Sequence, residues 1–315
     1  MSMKNKNLLI CLTPLQMMIA SKIIDDNPGI YDVLCFSYND NEKYNHYFTK
    51  ISEKCDISYR YIVESQGKIR RIFEFAKYRL FINRITKINY DTVFLASVDN
   101  PFFHLLLSLL KKNEIHTFDD GTANIYKKST YYVFPKKSVL QYGILRFLGN
   151  TYHTQKVIDA SVLHHTIYEG FENITQPLKP VKLMDLNIET IPNKSIKIYL
   201  GQPLEDLNFK NEDKIFKFLK EHAVDHYLPH PREKKQYDGF TYIHTPLIFE
   251  DYVVELLISG YSVEVYTLLS TAVLNVEHKN LTVYITIFPE IKGKYLGVYN
   301  LFNEKGFVFL EKGAF

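Results

Sequence analysis

The chain has 315 residues, and its 46% hydrophobic and 23% charged residues exclude a disordered chain and predict a packed interior. This length suits two domains of about 150 residues each. The formal net charge of +3 is too small to predict nucleic-acid binding, although it suits a small anionic ligand. The three cysteines form no C-x-x-C pair, which favours reduced thiols in a cytoplasmic protein over disulfides or a metal site.

The N-terminus, MSMKNKNLLICLTPLQMMIA, combines a basic start with an apolar run, as a signal peptide does. Pro14 and Gln16 interrupt this run, and no small-residue cleavage site follows it. We therefore predict a buried strand over residues 8–13 and then a helix, with Thr13 as its N-cap and Pro14 in its first turn. No stretch reaches the roughly 18 apolar residues that span a bilayer, so a cytoplasmic protein is expected.

Short apolar segments alternate with helical patterns through the rest of the first half. The predicted strands are YDVLCFSY, SYRYIVE, DTVFLAS and EIHTF. A polar helix over residues 41–55, a long helix over residues 68–85 and a helix that begins at Asn100-Pro101 lie between them. Alternation of this kind predicts βαβ units and a parallel sheet covered by helices on both faces.

Residues 178–193 contain prolines and no regular periodicity, which is typical of a linker. The alternation then restarts, and the predicted strands are SIKIYLGQ, DHYL, FTYIHT, YSVEVYTLLST and LTVYITIF. We predict an α/β protein with two Rossmann-like, doubly wound domains, residues 1–180 and 194–315, that face a central cleft. Ligands of such sheets bind outside the carboxyl ends of the strands, so residues at strand ends are the candidates for chemistry.

Two acids and a glycine, Asp119, Asp120 and Gly121, follow the strand EIHTF directly. Glycine permits a sharp departure of the backbone, and a carboxylate at this position could act as general base on a substrate hydroxyl. An ordinary turn is the alternative, because Asp-Gly is among the commonest turn pairs.

A second acidic pair follows the first strand of the second half. Gly201 and Gln202 come directly after SIKIYL, where glycine permits the close approach of a ligand or a helix. Glu205 and Asp206 follow in the same loop and are a second possible source of the base. A capped loop between a strand and a helix would look much the same.

A histidine lies after the next predicted strand, DHYL. His230 stands between Pro229 and Pro231, which fix the backbone and favour extended geometry around it. Its imidazole could donate to a phosphate oxygen, and Arg232 could add a fixed positive charge. The alternative is a loop histidine that hydrogen-bonds a carbonyl.

Two further places in the second half suit a nucleotide. Ser270 and Thr271 precede a short helical pattern, and hydroxyls at a helix N-terminus cap the helix and can bind an anion. Glu250 lies in the helix after FTYIHT and could hydrogen-bond a ribose or a base. Simple capping and a solvated helix face are the respective alternatives.

Familiar metal and nucleotide motifs are missing from the sequence, which has no D-x-D, Walker A, G-x-G-x-x-G or H-E-x-x-H pattern. His164 and His165 are adjacent in a predicted strand, so their side chains point to opposite faces and do not share a metal. Neither a metal nor a cofactor is expected.

Taken together, these motifs resemble the bacterial sialyltransferases. More narrowly, the chain resembles glycosyltransferase family 52, which includes lipooligosaccharide and capsule sialyltransferases. The likeness rests on the acid-acid-glycine, the His-Pro pair and the Ser-Thr pair, together with the stretches LICLTPLQ and YLGQPL. These motifs occur in the family's order and cover most of the chain.

The resemblance implies a GT-B fold and an inverting, metal-independent transfer from CMP-Neu5Ac to a galactose-terminated glycan. It places His230 on the donor phosphate and makes Asp120 or Asp206 the base, a choice that stays open. It also places Ser270 and Thr271 beside that phosphate, and the full set predicted on the donor side is Gly201, Gln202, His230, Pro231, Arg232, Glu250, Ser270 and Thr271. Those implied on the acceptor side are Asp119 and Gly121.

One predicted helix suits a membrane surface. The segment KIRRIFEFAKYRLFINRITK, residues 68–87, holds seven basic residues interleaved with apolar ones. Such a helix can lie on an anionic membrane, here the inner face of the cytoplasmic membrane near lipid-linked glycans. The alternative is a helix packed on the sheet with a solvated basic face. The aromatic content of 15% is also compatible with a homodimer.

Two rival functions fit the same architecture. One is a metal-independent GT-B enzyme with another donor, such as CMP-Kdo or a nucleoside diphosphate sugar. The other is a protein that binds a nucleotide or a sugar and catalyses nothing. A diphosphate donor would favour additional arginines or lysines near the loops of the second half, and few are present beyond Arg232.

Overall fold

The computed structural model describes residues 6–63, 68–134, 139–184, 191–207, 209, 212–231, 233 and 235–311. The chain forms two compact units, Met1–Leu183 and Met184–Phe315. Each unit contains a parallel sheet with helices between successive strands, so the alternation predicted from the sequence is confirmed.

The sheet of the first unit has seven described strands in the order β3-β2-β1-β4-β5-β6-β7, all parallel. Residues 8–11 of the central strand β1 are fully buried, because helices cover both faces of the sheet. The strands are β1 Lys6–Cys11, β2 Ile30–Ser37, β3 Ile57–Ile62, β4 Asn89–Leu95, β5 Lys111–Phe118, β6 Ser161–Thr166 and β7 Leu178–Pro180.

Two helices of the first unit begin as their sequences predict. Thr13 caps the first helix by accepting the amide of Gln16, and Asn100 caps another by accepting the amide of Phe102. A proline follows each cap at a position where its missing N–H costs nothing. The helices are α1 Pro14–Asp26, α2 Glu42–Ser52, α3 Lys68–Phe81, α4 Pro101–Leu109, α5 Val139–Phe147 and α6 Thr154–Ala160.

The predicted linker over residues 178–193 is partly wrong. Leu178–Pro180 forms the edge strand β7, which pairs with β6 between His164 and Thr166. Proline is compatible with this place because an edge strand leaves one row of its backbone groups outside the ladder.

The sheet of the second unit has six described parallel strands in the order β10-β9-β8-β11-β12-β13. One predicted strand is much shorter than expected, because only Thr241–Tyr242 of FTYIHT pairs with a neighbour. The strands are β8 Lys194–Leu200, β9 His226–Leu228, β10 Thr241–Tyr242, β11 Tyr261–Thr267, β12 Leu281–Ile287 and β13 Val308–Glu311. The helices are α7 Leu204–Leu207, α8 Glu212–Glu221, α9 Phe249–Ile258, α10 Pro289–Lys292 and α11 Leu296–Glu304.

The strand order of the second unit brings three candidate loops together. β8 lies between β9 and β11, and parallel strands present their carboxyl ends at one edge of the sheet. The turn after β8, the His-Pro turn after β9 and the loop after β11 therefore lie side by side. Within the described residues, no helix is long and apolar enough to cross a membrane.

Candidate active site

Asp120 lies just after β5, where its carboxylate is held by three side chains. Oδ1 accepts a hydrogen bond from Gln16 Nε2, and Oδ2 accepts one from Ser97 Oγ at 2.9 Å and one from the Tyr131 hydroxyl. The Asp120 amide in turn donates to Asn124 Oδ1 at 2.7 Å. Bonds to both carboxylate oxygens fix the direction in which this group can accept a proton.

Burial raises the pKa of Asp120 to about 6, although the hydrogen bonds from Tyr131, Ser97 and Gln16 oppose the shift. A carboxylate with such a pKa is ionised near neutral pH and accepts a proton more readily than an ordinary aspartate. Asp120 is therefore the candidate general base of the first unit.

Gln16 and Ser97 support Asp120, and neither is among the residues predicted from the sequence. Gln16 is fully buried; its Oε1 accepts the amide of Leu12, and its Nε2 also donates to Ser97 Oγ at 2.8 Å. Ser97 adopts the left-handed region at φ 47°, which is unfavourable for a residue with a Cβ and recurs at functional sites. The sequence signal that could have identified Gln16 is its polar amide side chain within an apolar run.

Asp119, expected near the acceptor, has a different place. It is fully buried, and its carboxylate accepts four hydrogen bonds, so the structure corrects the expected ligand contact. Asp119 ties the end of β5 to β6 and the segment after it. Its donors are His164 Nε2 at 2.9 Å, Thr166 Oγ1 at 2.8 Å, the Ile167 amide at 2.6 Å and Asn173 Nδ2 at 3.0 Å.

Gly121 and the histidine pair agree with the local backbone geometry expected for them. Gly121 has φ +73°, so the chain turns sharply after Asp120 in a conformation that favours glycine. His164 binds Asp119 on one face of the sheet. His165 lies on the other face, where its Nε2 is 3.3 Å from Nδ1 of His116. Among the residues that the structure describes, no three His, Cys, Asp or Glu side chains converge as a metal site would require.

Gly201 is crowded by protein rather than open to a ligand. A Cβ at this position would lie 2.5 Å from Glu233 Oε2 and 2.6 Å from Tyr227 Cε1. The close approach predicted at Gly201 is made by Glu233 and Tyr227 within the unit, and the expected donor contact stays a prediction. The neighbouring Gln202 is also buried, and its Oε1 accepts the Leu269 amide at 2.8 Å.

The His-Pro turn follows β9 as predicted. His230 is half-buried and Pro231 is exposed, and the His230 amide donates to Glu233 Oε2 at 2.7 Å. Arg232 lies outside the described residues, and so does the side chain of Asp206, whose backbone belongs to α7. Glu205 is exposed in the same helix.

Ser270 lies in the loop after β11 and Glu250 lies in α9, and their expected contacts with a nucleotide stay predictions. Ser270 occupies the N-cap of a 3₁₀ turn, Thr271–Asn275, but its hydroxyl makes no capping hydrogen bond. Glu250 is 3% exposed, and its Oε1 accepts Asn275 Nδ2 at 2.6 Å. The structure thus gives Glu250 an internal partner, where a ribose or a base was expected.

Similar proteins cover almost the whole chain. The CMP-N-acetylneuraminate:beta-galactoside alpha-2,3-sialyltransferase of Pasteurella multocida is 34% identical over 306 residues, which cover 95% of this chain and 97% of that protein. The N-acetyllactosaminide alpha-2,3-sialyltransferase of Haemophilus influenzae is 32% identical over 282 residues, which cover 88% and 90%.

Solved structures identify the fold. The glycotransferase of kitacinnamycin matches with a TM-score of 0.52 at 7% identity, over 99% of this chain and 87% of that chain. The glycosyltransferase SnogD from Streptomyces nogalater matches with a TM-score of 0.52 at 8% identity, over 98% and 87%. At these identities the likeness shows the fold alone, and it confirms the predicted GT-B class.

The family model described as glycosyltransferase family 52 matches residues 31–289, a range that includes the Asp120 loop, the Gly201 turn, the His-Pro turn and the Ser270 loop. The resemblance inferred from short motifs is thereby confirmed. The chain belongs to glycosyltransferase family 52 and is a glycosyltransferase with the GT-B fold.

Proposed function

We propose that this protein is a sialyltransferase that moves sialic acid from CMP-Neu5Ac to a terminal galactoside of a bacterial surface glycan, lipooligosaccharide or capsule. The observation that carries the proposal is the similarity over nearly the whole chain to proteins named as α2,3-sialyltransferases. Those names also favour an α2,3 linkage. The surroundings of Asp120 support the chemistry that such a transfer needs.

The proposed reaction is a direct displacement with inversion. The acceptor hydroxyl oxygen forms a bond to the anomeric carbon of sialic acid while the bond from that carbon to the CMP phosphate oxygen breaks. The hydroxyl proton passes to a carboxylate, and the bonding electrons leave with CMP. Asp120 has the pKa and the fixed orientation for this base. Asp206 remains the second candidate.

The departing CMP gains negative charge, and we assign its stabilisation to the second unit. His230 can donate to the phosphate, and backbone amides near Ser270 can contribute further donors. A phosphate monoester leaving group carries less charge than a diphosphate, so this set supports a transfer without a metal. Gln202 reaches the same loop by accepting the Leu269 amide, which fixes the backbone before Ser270.

The first prediction concerns the reaction itself. We expect sialylated product from CMP-Neu5Ac and lactose or N-acetyllactosamine in the presence of EDTA, detected by mass spectrometry. Asp120→Ala and His230→Ala should each lower kcat by about 10²–10⁴-fold, because each removes a proton-transfer or charge-stabilising group. Asp206→Ala tests the other candidate base.

Matched controls are the exposed Asp159→Ala in the first unit and His226→Ala at the far end of β9, both of which should retain activity. Parallel assays with CMP-Kdo and nucleoside diphosphate sugars test the rival donors. If the wild type forms no sialylated product and releases no free CMP, the proposal is contradicted. Binding of a nucleotide without turnover would favour the non-catalytic alternative.

The second prediction is a pH dependence. Because Asp120 must be ionised to act as base, we expect kcat/KM to fall with decreasing pH around a value of about 6. The hydrogen bond from Tyr131 lowers the pKa of Asp120, so Tyr131→Phe should raise that pKa and move the acid limb to higher pH. Tyr152→Phe changes a phenol elsewhere in the unit and should leave the limb in place.

The measurement is kcat/KM across the acidic range for the wild type and both variants, with circular dichroism to establish folding at each pH. If the acid limb of the kcat/KM profile does not move in Tyr131→Phe, the limb belongs to a carboxyl other than Asp120. The pH profile of Asp206→Asn would then be measured in the same way.

Peripheral contact with the cytoplasmic membrane is part of the proposal, through α3 and its neighbour α5. Phe75 and Tyr78 of α3 are buried on the sheet side, whereas Phe73 and Leu80 are 65% and 79% exposed on a stripe that also carries Lys77. Packing on the sheet, the alternative considered for this helix, thus explains its buried face but not its exposed apolar side chains.

Helix α5 lies against α3 and adds exposed apolar side chains, among them Val139 at 87% and Phe147 at 91%. Residues 121–158 contain six lysines and arginines and no acidic residue, and residues 68–87 contain a single acid. Positive charge beside exposed apolar groups matches an anionic bilayer, where each basic residue contributes about 1 kcal/mol. The proposed occupant of this face is therefore the anionic membrane.

The third prediction tests that surface. The wild type should co-sediment with vesicles of phosphatidylethanolamine and phosphatidylglycerol, less so at high salt, and not with phosphatidylcholine alone. The double variant Leu80→Asp/Phe147→Asp should lower the partition coefficient by about tenfold or more, because two apolar groups are lost. Ile258→Asp, which changes a 61% exposed residue of α9, is the matched control.

Equal sedimentation of the double variant, or none by the wild type, contradicts the membrane contact. Sedimentation velocity compares the oligomeric state of the wild type with that of the double variant. A wild-type dimer that the double variant dissociates would show that a second copy of the chain covers this face, and the membrane contact would then be rejected.

A further inference from the structure

Glu233, which no sequence motif marked as a site residue, accepts hydrogen bonds from three parts of the second unit. Its Oε1 accepts the Tyr227 hydroxyl at 2.6 Å, and its Oε2 accepts the His230 amide at 2.7 Å. The Gln202 amide also donates to this carboxylate. One side chain therefore connects β9, the His-Pro turn and the turn after β8.

The bonds between Glu233 and His230 run in both directions. While the carboxylate accepts the His230 amide, the Glu233 amide donates to the His230 carbonyl at 2.9 Å. The spacing of three residues and the return of the carboxylate match half of a helix capping box, here closing a single turn. Both peptide groups of His230 are thus fixed by the same partner.

The other end of this carboxylate is anchored in the interior of the unit. Tyr227 is 1% exposed, and its ring lies 5.1 Å from that of Tyr199 and stacks on that of Tyr242 at 4.9 Å. A phenol held in this way is a fixed point, so the Tyr227 hydroxyl determines where the Glu233 carboxylate can lie.

The turn after β8 completes the connection. Gly201 leaves the space that Glu233 and Tyr227 occupy, and Gln202 continues the path by accepting the Leu269 amide in the loop after β11. The three loops assigned to the donor are therefore joined by a continuous set of hydrogen bonds with Glu233 at its centre.

Glutamine would fill the same volume as Glu233 but could not make the same bonds. An amide has one acceptor oxygen, whereas the carboxylate receives three donors on two oxygens. Burial raises the pKa of Glu233, so the ionised group is costly at this position, and its donors offset that cost. A negative charge beside the His-Pro turn is unexpected, because this turn is assigned to the donor phosphate. The need for hydrogen-bond acceptors on both oxygens explains why the residue is nevertheless an acid.

We infer that Glu233 is the positioning residue of the donor side, whose carboxylate orients His230 toward the departing phosphate by fixing the His-Pro turn to the turn after β8. This inference rests on the proposed function. Glu233 acts through His230 and does not itself touch the donor.

The fourth prediction is a double-mutant cycle on Glu233→Gln and His230→Ala. In the wild-type background, Glu233→Gln should lower kcat roughly tenfold to a hundredfold and weaken CMP binding, because a charge-assisted bond to His230 is lost. In the His230→Ala background it should change both quantities by about twofold or less, since the residue that it positions is gone. Transfer is followed with radiolabelled donor and CMP affinity by calorimetry.

Glu255→Gln makes the same change at an exposed position of α9 and should behave as the wild type. Equal losses from Glu233→Gln in both backgrounds would show a general structural role and overturn the inference, as would no loss in either. If either of these contradicting outcomes is found while the wild type binds CMP and transfers sialic acid, only the inference fails. A wild type that does neither overturns the proposed function and the inference with it.

The fifth prediction reaches the same carboxylate from the opposite side. Gly201→Ala places a methyl group where Glu233 Oε2 lies, so we expect it to lower kcat and CMP affinity as Glu233→Gln does, with a fall in thermal stability from overpacking. Gly293→Ala is the matched control, because nothing lies within 4 Å of its added Cβ and its backbone is helical.

Normal kcat in a folded Gly201→Ala variant would show that the Glu233 carboxylate can move without consequence, and would overturn the positioning role. A variant with reduced stability is assayed below its melting temperature. There, the combination with Glu233→Gln should add little to either single change, because both act on one carboxylate.

Discussion

Hydrogen-bond donors that converge on carboxylates at strand ends hold the loops of both units in place. A carboxylate removed from water is unfavourable unless donors replace the water, so each one imposes positions on the groups around it. Asp119, Asp120 and Glu233 all follow this rule, and each receives at least three hydrogen bonds. The backbone after β5, β6 and β9 depends on these bonds.

The same constraint produces different results for two adjacent acids. Asp119 is fully enclosed, and its backbone and side-chain donors come from the end of β6 and the segment after it, so its charge serves the architecture of the sheet. Asp120 keeps partial contact with solvent, and burial raises its pKa to about 6. Alternation of side chains at the end of a strand thus separates a structural acid from a candidate base over a single peptide bond.

Hydrophobic periodicity was sufficient to predict the two parallel sheets, because buried strands and amphipathic helices have distinct spacings that a single chain displays. The cap at Thr13 and the helix start at Asn100-Pro101 were equally local and were predicted correctly. The edge strand Leu178–Pro180 was missed, since three residues with a proline show no period. Edge strands of this length depend on their partner more than on their own sequence.

The candidate site was harder to predict because its supporting contacts are distant in sequence. Gln16 reaches Asp120 across 104 residues and Ser97 across 81, so no local pattern marks them as partners. Glu233 lies only three residues from His230, yet its role depends on Tyr227 and on the space at Gly201. Sequence motifs located the strand ends, whereas the direction of each side chain required the fold.

In the proposed reaction, the division of acid and histidine between the two units has an electrostatic reason. A base must keep its negative charge near neutral pH, and a phosphate site must offer donors to an anion. In the first unit, burial and three hydrogen-bond donors determine the pKa of Asp120. In the second unit, the Glu233 carboxylate holds the backbone of His230. The charge of Glu233 is shared among donors that already belong to the His-Pro turn, to its strand and to the turn after β8. In the proposed reaction it therefore holds the loops that would bind the phosphate instead of repelling that ligand.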